Sequence, residues 1–403
     1  MIYTPVDLVN VFLGNHKVGR LALVKRRIYF EYEPTFITAG LEISPFKLPL
    51  KIGAVPFEDS IFEGLFGVFN DSLPDGWGRL LLDRQVRRHG MAPEQLTPLD
   101  RLTHVGQHGM GALSYEPDVN TPNLAEEVIS LDHLAQASAQ ALEGEADEIF
   151  PELLALSASS AGARPKVMVG VNENRTNIIH GQQQLPEGYQ HWMVKFASSS
   201  DLKDIGAVEY AYSLMAKAAG IEMPETHLFL ANKGAGYFGV QRFDRIANER
   251  IHMHSLAGLV HADHRLPSLD YEIVLRATFL LTKRINEVAK MFRLATFNVL
   301  AHNRDDHAKN FAYLMLSDGT WQASLAYDLT FSSGPGGEQS STVMGEGKNP
   351  GVEHLLALAK KFDIEQAQPI IDEVQSAIFR WTEFADEAGV STVSKRKIRK
   401  IIL

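Results

Sequence analysis

The sequence predicts an α+β protein of two lobes, and three observations carry that prediction. Residues 1 to about 117 are rich in β-branched and aromatic residues broken by turn formers. From about residue 246 onward, helical periodicity dominates. Between them lies a smaller strand-rich stretch with one prominent helix. The expected division is a strand-rich N-terminal subdomain over 1–120, a second strand-rich part over 121–245 and a helical lobe over 246–403.

In the first part, Gly19–Val24 and Arg27–Tyr32 read as strands, the second by its alternation of apolar and polar residues. A helix starts near Asp75-Gly76-Trp77-Gly78 and carries Leu80, Leu81, Leu82 and Val86. A glycine-punctuated strand, Gly109–Tyr115, closes the part. Pro117–Asn123 reads as a linker and 124–157 as an acidic helical stretch. Two strands follow, Lys166–Val171 and Trp192–Phe196, joined by a polar loop over 172–190 that is expected to be exposed. Residues 207–219 form a helix stopped by Gly220. Strands around His227–Ala231 and Tyr237–Phe243 complete the small sheet. The helical lobe is expected over 271–282, 285–302, 352–362 and 366–388. Its loop Ser332–Gly351 looks too polar and flexible to be core.

The 403 residues are 45% apolar and 22% charged, which allows a sizeable core and suits two or three domains. No apolar run approaches the roughly 18 residues of a membrane span, and the N-terminal residues do not read as a secretion signal, so no membrane role is expected. With no cysteine, disulfides and thiolate metal sites are excluded, and a cytoplasmic location is the expectation. A formal charge of −10 argues against wholesale binding of phosphate backbones. It fits a basic protein partner, or simply solubility. The basic run Ser394–Lys400 reads as a solvated helix face.

The sharpest chemical signal is Asn303-Arg304-Asp305-Asp306-His307-Ala308-Lys309-Asn310. An aspartate followed at the fifth position by asparagine is the spacing of the protein-kinase catalytic loop, here with Asn303 in place of its histidine. Phosphoryl transfer needs a carboxylate to orient the attacking hydroxyl and accept its proton, and oxygen ligands to hold Mg²⁺ against the phosphates of ATP. Asp305 suits the first task. Asn310 suits the second, together with a further carboxylate. Asp328 supplies that carboxylate, because Phe311–Leu316 and Trp321–Leu325 read as a hairpin around Ser317–Thr320 and bring it back. Tyr327-Asp328-Leu329 then does the work of the kinase D-F-G motif.

Lys195 sits in an apolar strand and calls for a charge partner, for which Glu209 on the next helix is a candidate. An outward-facing edge lysine is the alternative. The stretch Ser157–Lys166 is rich in small residues, so its backbone amides can approach an anion, and Arg164 and Lys166 add charge. It has one glycine and matches neither common phosphate-loop pattern; a flexible serine-rich loop is the equal reading.

Taken together, Ser159–Lys166, Gln241-Arg242-Phe243-Asp244-Arg245, Asp305–Asn310 and Tyr327-Asp328-Leu329 closely resemble the HipA-type toxin kinases of type II toxin–antitoxin systems. Ser72–Arg79 and Gly109–Leu113 look like that family's N-terminal subdomain. The likeness runs from about residue 8 to 390. It implies a bilobal, protein-kinase-like (HipA-like) fold and an ATP- and Mg²⁺-dependent serine/threonine protein kinase. Position by position, it implies Asp305 as catalytic base and Asn310 and Asp328 as magnesium ligands. Ser160, Ala161, Gly162, Ala163, Arg164, Lys166 and Lys195 would contact phosphates, with His307, Lys309 and Tyr327 near the nucleotide. Gln241 and Phe243 match the adenine hinge, with Asp244 by the ribose. Ser159 corresponds to the family's silencing autophosphorylation serine, with Ser160 as its adjacent alternative. Arg164-Pro165 departs from the Gln-Glu expected there. The implied partners are a HipB-like helix-turn-helix antitoxin, operator DNA mainly through that antitoxin, and a protein substrate such as glutamyl-tRNA synthetase or another aminoacyl-tRNA synthetase.

Two other readings compete. One is a non-catalytic nucleotide-binding co-repressor. The other is a metal-dependent phosphohydrolase using His302, Asp305, Asp306 and His307, with His252, His254, His261 and His264 as further ligands.

Overall fold

Alternation along Arg27–Tyr32 turns Ile28, Phe30 and Tyr32 inward. In this computed structural model, residues 5–119, 128–144, 150–157, 162–181, 184–199, 201–263 and 269–403 are described. They fall into two compact units. One comprises 1–200, 241–254 and 315–319; the other comprises 201–240, 255–314 and 320–403.

The first unit opens with an antiparallel sheet, β1 (Leu8–Leu13), β2 (His16–Val24), β3 (Arg27–Tyr32), β4 (Val55–Pro56) and β5 (Leu113–Glu116), in the order β4-β3-β2-β1-β5. Phe30 packs on Tyr32 and Phe69, with ring centroids 4.8 and 4.9 Å apart. Among the described residues, this unit has the helices α1 (Pro34–Ala39), α2 (Gly67–Asn70), α3 (Gly76–Arg88), α4 (Pro98–Val105), α5 (Leu131–Glu143) and α6 (Phe150–Ser157). Helix α3 is the expected one and buries Leu81, Leu82 and Val86, while Leu80 lies half-buried.

Three further strands follow, with β6 (Lys166–Asn172) paired antiparallel to both β7 (Ile178–His180) and β8 (Tyr189–Lys195). Strand β7 corrects the expectation of an exposed loop over 172–190. Ile178, Ile179 and His180 are all buried. The two adjacent isoleucines were the signal, since β-branched residues favour a paired strand.

The second unit holds α7 (Ile205–Ala218), the antiparallel pair β9 (Thr226–Phe229) and β10 (Tyr237–Gln241), and the remaining helices. These are α8 (Leu256–Val260), α9 (Tyr271–Thr282), α10 (Ile285–Leu300), α11 (Val352–Lys361), α12 (Ala367–Phe379), α13 (Trp381–Glu387) and α14 (Thr392–Ile402). Gly220, at φ 75°, stops the turn after α7 in the left-handed region that glycine enters without strain. The single helix expected over 366–388 is two helices. At Arg380 the backbone tightens to a bond from its N–H to Ala377 O (3.1 Å), and the turn beyond buries Trp381 against Tyr212 (5.4 Å). The hairpin expected over 311–325 is present as Ala312–Met315 paired with Trp321–Ala323.

The segment 332–351 is the larger surprise. Gln339, Ser340, Ser341 and Val343 are buried, so part of this polar loop is core after all. The side chains of Gln339, Ser340 and Ser341 are hydrogen-bonded within the protein, as buried polar groups must be.

Candidate active site

In the second unit, α10 delivers the chain to the catalytic-loop motif. Asn303 is buried and donates its amide to Asn298 Oδ1 (2.9 Å), and Asn298 donates to Tyr271 OH (2.9 Å). Asp305 is exposed, whereas its neighbour Asp306 is wholly enclosed. The Asp306 carboxylate accepts from Tyr271 OH (2.6 Å), Gln339 Nε2 (3.0 Å) and the Ser341 N–H (3.1 Å). Burial pushes the Asp306 carboxyl up to about 7, against the bonds from Tyr271 and Ser341 that favour its ionised form.

Asn310 closes a short 3₁₀ turn, Ala308–Asn310, with its N–H on His307 O (2.8 Å). Its side-chain nitrogen donates to Asp305 O (2.7 Å). The hairpin then returns the chain to Tyr327, whose hydroxyl donates to Lys309 O (2.5 Å). Asp328 therefore follows a residue bonded to the neighbour of Asn310. Asp328 itself sits at φ 58°, in the left-handed region that short polar side chains tolerate best among non-glycines. His307, Lys309 and Tyr327 are half-buried around this loop.

In the first unit, the strand register sets Lys166 directly opposite Lys195, and both are buried. Directly opposed residues of antiparallel strands share a face, so positive charge is concentrated there. Lys166 reaches back over the small-residue loop, since a Cβ on Gly162 would lie 2.6 Å from its Nζ. The N-terminus of α3 holds the same loop. The Trp77 N–H donates to Gly162 O (2.9 Å), and the Gly162 N–H donates to Asp75 Oδ1. Thus two motifs that the sequence presented separately, Ser72–Arg79 and Ser159–Lys166, meet. Ala163 is exposed and Arg164 half-buried. Ser159, Ser160 and Ala161 lie outside the described residues. Glu209, the suggested partner of Lys195, is buried on α7 of the second unit.

Gln241 and Phe243 are half-buried, and Arg242, between them, donates its N–H to His191 O (2.9 Å). Asp244 is not available to a ribose. It is wholly buried, with Arg242 Nε on one oxygen (2.9 Å), and Arg242 Nη2 (2.7 Å), Arg245 Nη1 (2.8 Å) and the Gly111 N–H (2.7 Å) on the other. The two guanidiniums hold its carboxyl far below the usual range despite burial. Arg245 and Arg250 also donate to Gly111 O, each at 3.0 Å, so Asp244 anchors Gly109–Leu113. Sequence reasoning found both motifs and missed that they bind each other.

Among the described residues, the phosphohydrolase arrangement is not formed: no three His, Cys, Asp or Glu side chains gather closely enough to hold a metal ion. His302 Nδ1 faces Ser332 O (3.1 Å), Asp306 is committed as above, and His254 lies between Asp71 Oδ2 (2.7 Å) and Ser44 Oγ (3.0 Å). His264 is outside the described residues.

Comparison with known families gives this assembly its class. A family model described as the HipA-like C-terminal domain matches residues 158–382, and one described as the HipA N-terminal domain matches 9–116. The chain belongs to the HipA family, and the α+β expectation holds. Among solved structures, the HipA of a Shewanella oneidensis MR-1 toxin–antitoxin complex of HipA, HipB and operator DNA aligns with a TM-score of 0.70 at 15% identity, covering 98% of this chain and 94% of that one. The proinflammatory kinase CtkA of Helicobacter pylori overlaps 53% of this chain at a TM-score of 0.34 and 13% identity, too low to build on. Among the described residues, no helix is long and apolar enough to cross a membrane.

Proposed function

We propose that this chain is an ATP-dependent serine/threonine protein kinase and the toxic half of a toxin–antitoxin pair. Two bonds support the reading: Asn310 to Asp305 O closes the D-x-x-x-x-N loop on itself, and Tyr327 to Lys309 O ties that loop to the residue before Asp328. In this reading Asp305 accepts the proton of the attacking hydroxyl, a step worth about 10²–10⁴-fold in rate. Asn310 and Asp328 hold magnesium, which when bound neutralises charge on the transferring phosphate. Lys166, Lys195, Arg164 and the amides of 160–163 bind phosphates, His307 and Lys309 adjoin the nucleotide, and Gln241 and Phe243 take the adenine.

The reading divides the chain into a 1–120 subdomain, a 121–245 nucleotide-binding part and a 246–403 catalytic lobe. It takes Ser159 as the autophosphorylated residue and a cytoplasmic aminoacyl-tRNA synthetase, glutamyl-tRNA synthetase first, as client. A HipB-like antitoxin restrains the toxin and carries it to operator DNA.

The test is incubation with labelled ATP and Mg²⁺, alone and with the synthetase. Serine phosphate should appear on the parent chain and on the client, and Asp305→Ala should lose at least about 100-fold of both. Ser159→Ala should lose the autophosphate alone; label moved to Ser160 shifts the site by one residue. Nucleotide binding without any transfer would favour the co-repressor reading.

A further inference from the structure

In protein kinases the loop beyond the metal-binding aspartate is commonly ordered by a phosphate added to it, which pairs with arginine. Arg304, beside the proposed base, is already engaged without one. Its Nη1 donates to Gly337 O and its Nη2 to Lys348 O (3.0 Å), both in the segment 332–351. Its own carbonyl accepts from the Ser340 N–H (3.1 Å) and Ser340 Oγ (2.9 Å). On the far side of Asp305, Asp306 takes Gln339 Nε2 and the Ser341 N–H, and its carbonyl accepts from Ser341 Oγ. One segment thus grips both neighbours of Asp305.

The fit is close. Gly334, at φ 71°, lies so near that a Cβ there would be 2.7 Å from Arg304 Cβ and would collide with Glu338 O. Three of the segment's hydroxyls, those of Ser340, Ser341 and Thr342, are committed as well. Ser340 and Ser341 are buried, and Thr342 Oγ1 donates to Asp270 Oδ2 (2.7 Å). Ser333 is exposed.

We propose that residues 332–351 form an activation segment fastened in advance, in which Arg304 and Asp306 are positioning residues that aim Asp305 with no phosphate on the segment. This rests on the kinase reading. A guanidinium spanning two carbonyls replaces the arginine–phosphate pair, and an enclosed carboxylate sets the other end. Control of the enzyme then falls to other parts of the chain or to its partner.

The test compares the full-length parent, prepared with a phosphatase, with Arg304→Ala, Arg304→Lys, Asp306→Asn and Ser333→Ala. Amide hydrogen exchange is followed across 332–351 beside steady-state transfer. The dephosphorylated parent should be protected there and active. Arg304→Ala should exchange faster across the segment and lose about 100-fold in kcat, the cost of misplacing a reacting group, with KM for ATP within about twofold. Arg304→Lys should recover part of both, because an ammonium cannot span two carbonyls as a planar fork does. Ser333→Ala should match the parent. If Asp306→Asn does not fold by circular dichroism, the two Arg304 variants decide. An unprotected segment in the dephosphorylated parent, unchanged exchange in Arg304→Ala, or activity that requires phosphate on the segment each overturns the proposal. A parent that transfers no phosphate removes the kinase reading, while the exchange measurements still decide whether the fastening exists.

Discussion

Burial lowers the pKa of His252 from the ordinary value near 6.5 to about 4, with His254 adding to the effect and the bond from Nε2 to Ile43 O (2.9 Å) and Asp71 opposing it. The ring is therefore neutral in the folded chain. Above pH 6.5 the unfolded ring is neutral too and nothing is lost. As the pH falls below that value the unfolded chain binds a proton that the folded one refuses, so stability falls until about pH 4. Between pH 7.5 and pH 5 this amounts to about 2 kcal/mol. Urea unfolding at those two pH values should show a smaller loss in His252→Gln by about that amount; an equal loss in both would mean the ring titrates normally. The same scale shows what the sequence let one read. The roles proposed for Asp305, Asn310 and Asp328 could be drawn from the sequence because they rest on chemistry and spacing that are local or joined by one hairpin. The role of Asp306 could not, because what fixes it is contributed by Tyr271 on one side and by Gln339 and Ser341 on the other, more than 30 residues away in each direction.

At the scale of elements, periodicity found helices α3, α7, α9, α10 and α11 and the hairpin behind Asp328. It failed where burial is achieved by polar contacts, as in 332–351, or by a strand of three residues, as in β7. It also could not show that the first turn of α3 serves as a clamp. Gly76 lies at φ 44°, and a Cβ there would stand 2.8 Å from Ala163 Cα and strike Gly162 O. Gly76→Ala must therefore push the backbone at Gly162 and Ala163 away, on top of backbone strain of about 1–3 kcal/mol. If that loop binds ATP, the expected result is a KM for ATP raised several-fold, on the order of 10-fold, with kcat much less affected. Titration with a fluorescent ATP analogue checks it directly. Unchanged affinity in a folded Gly76→Ala chain would separate α3 from nucleotide binding.

For the molecule as a whole, charge is the property that argues furthest. The chain carries −10, although α14 alone contributes Lys395, Arg396, Lys397, Arg399 and Lys400, of which Lys395 is paired with Asp386. The rest of the chain taken together is more negative still, so its net charge disfavours duplex DNA and favours a basic protein partner. This asymmetry suits the proposed division of labour, in which a basic helix-turn-helix antitoxin reads the operator and the toxin rides on it. Two measurements follow. The isolated chain should not shift operator DNA in a gel at physiological salt, while its mixture with the antitoxin should. Raising salt from about 50 mM to about 500 mM shortens the Debye length from about 14 Å to about 4 Å. The association rate of toxin with antitoxin should then fall about 10-fold or more, with the dissociation rate far less changed, because screening removes steering before it removes contacts. A salt-independent association rate would mean that apolar surface, not field, brings the pair together. A shift by the chain alone would point instead to α14, whose Arg396, Lys397, Arg399 and Lys400 are exposed, as a direct contact to the phosphate backbone.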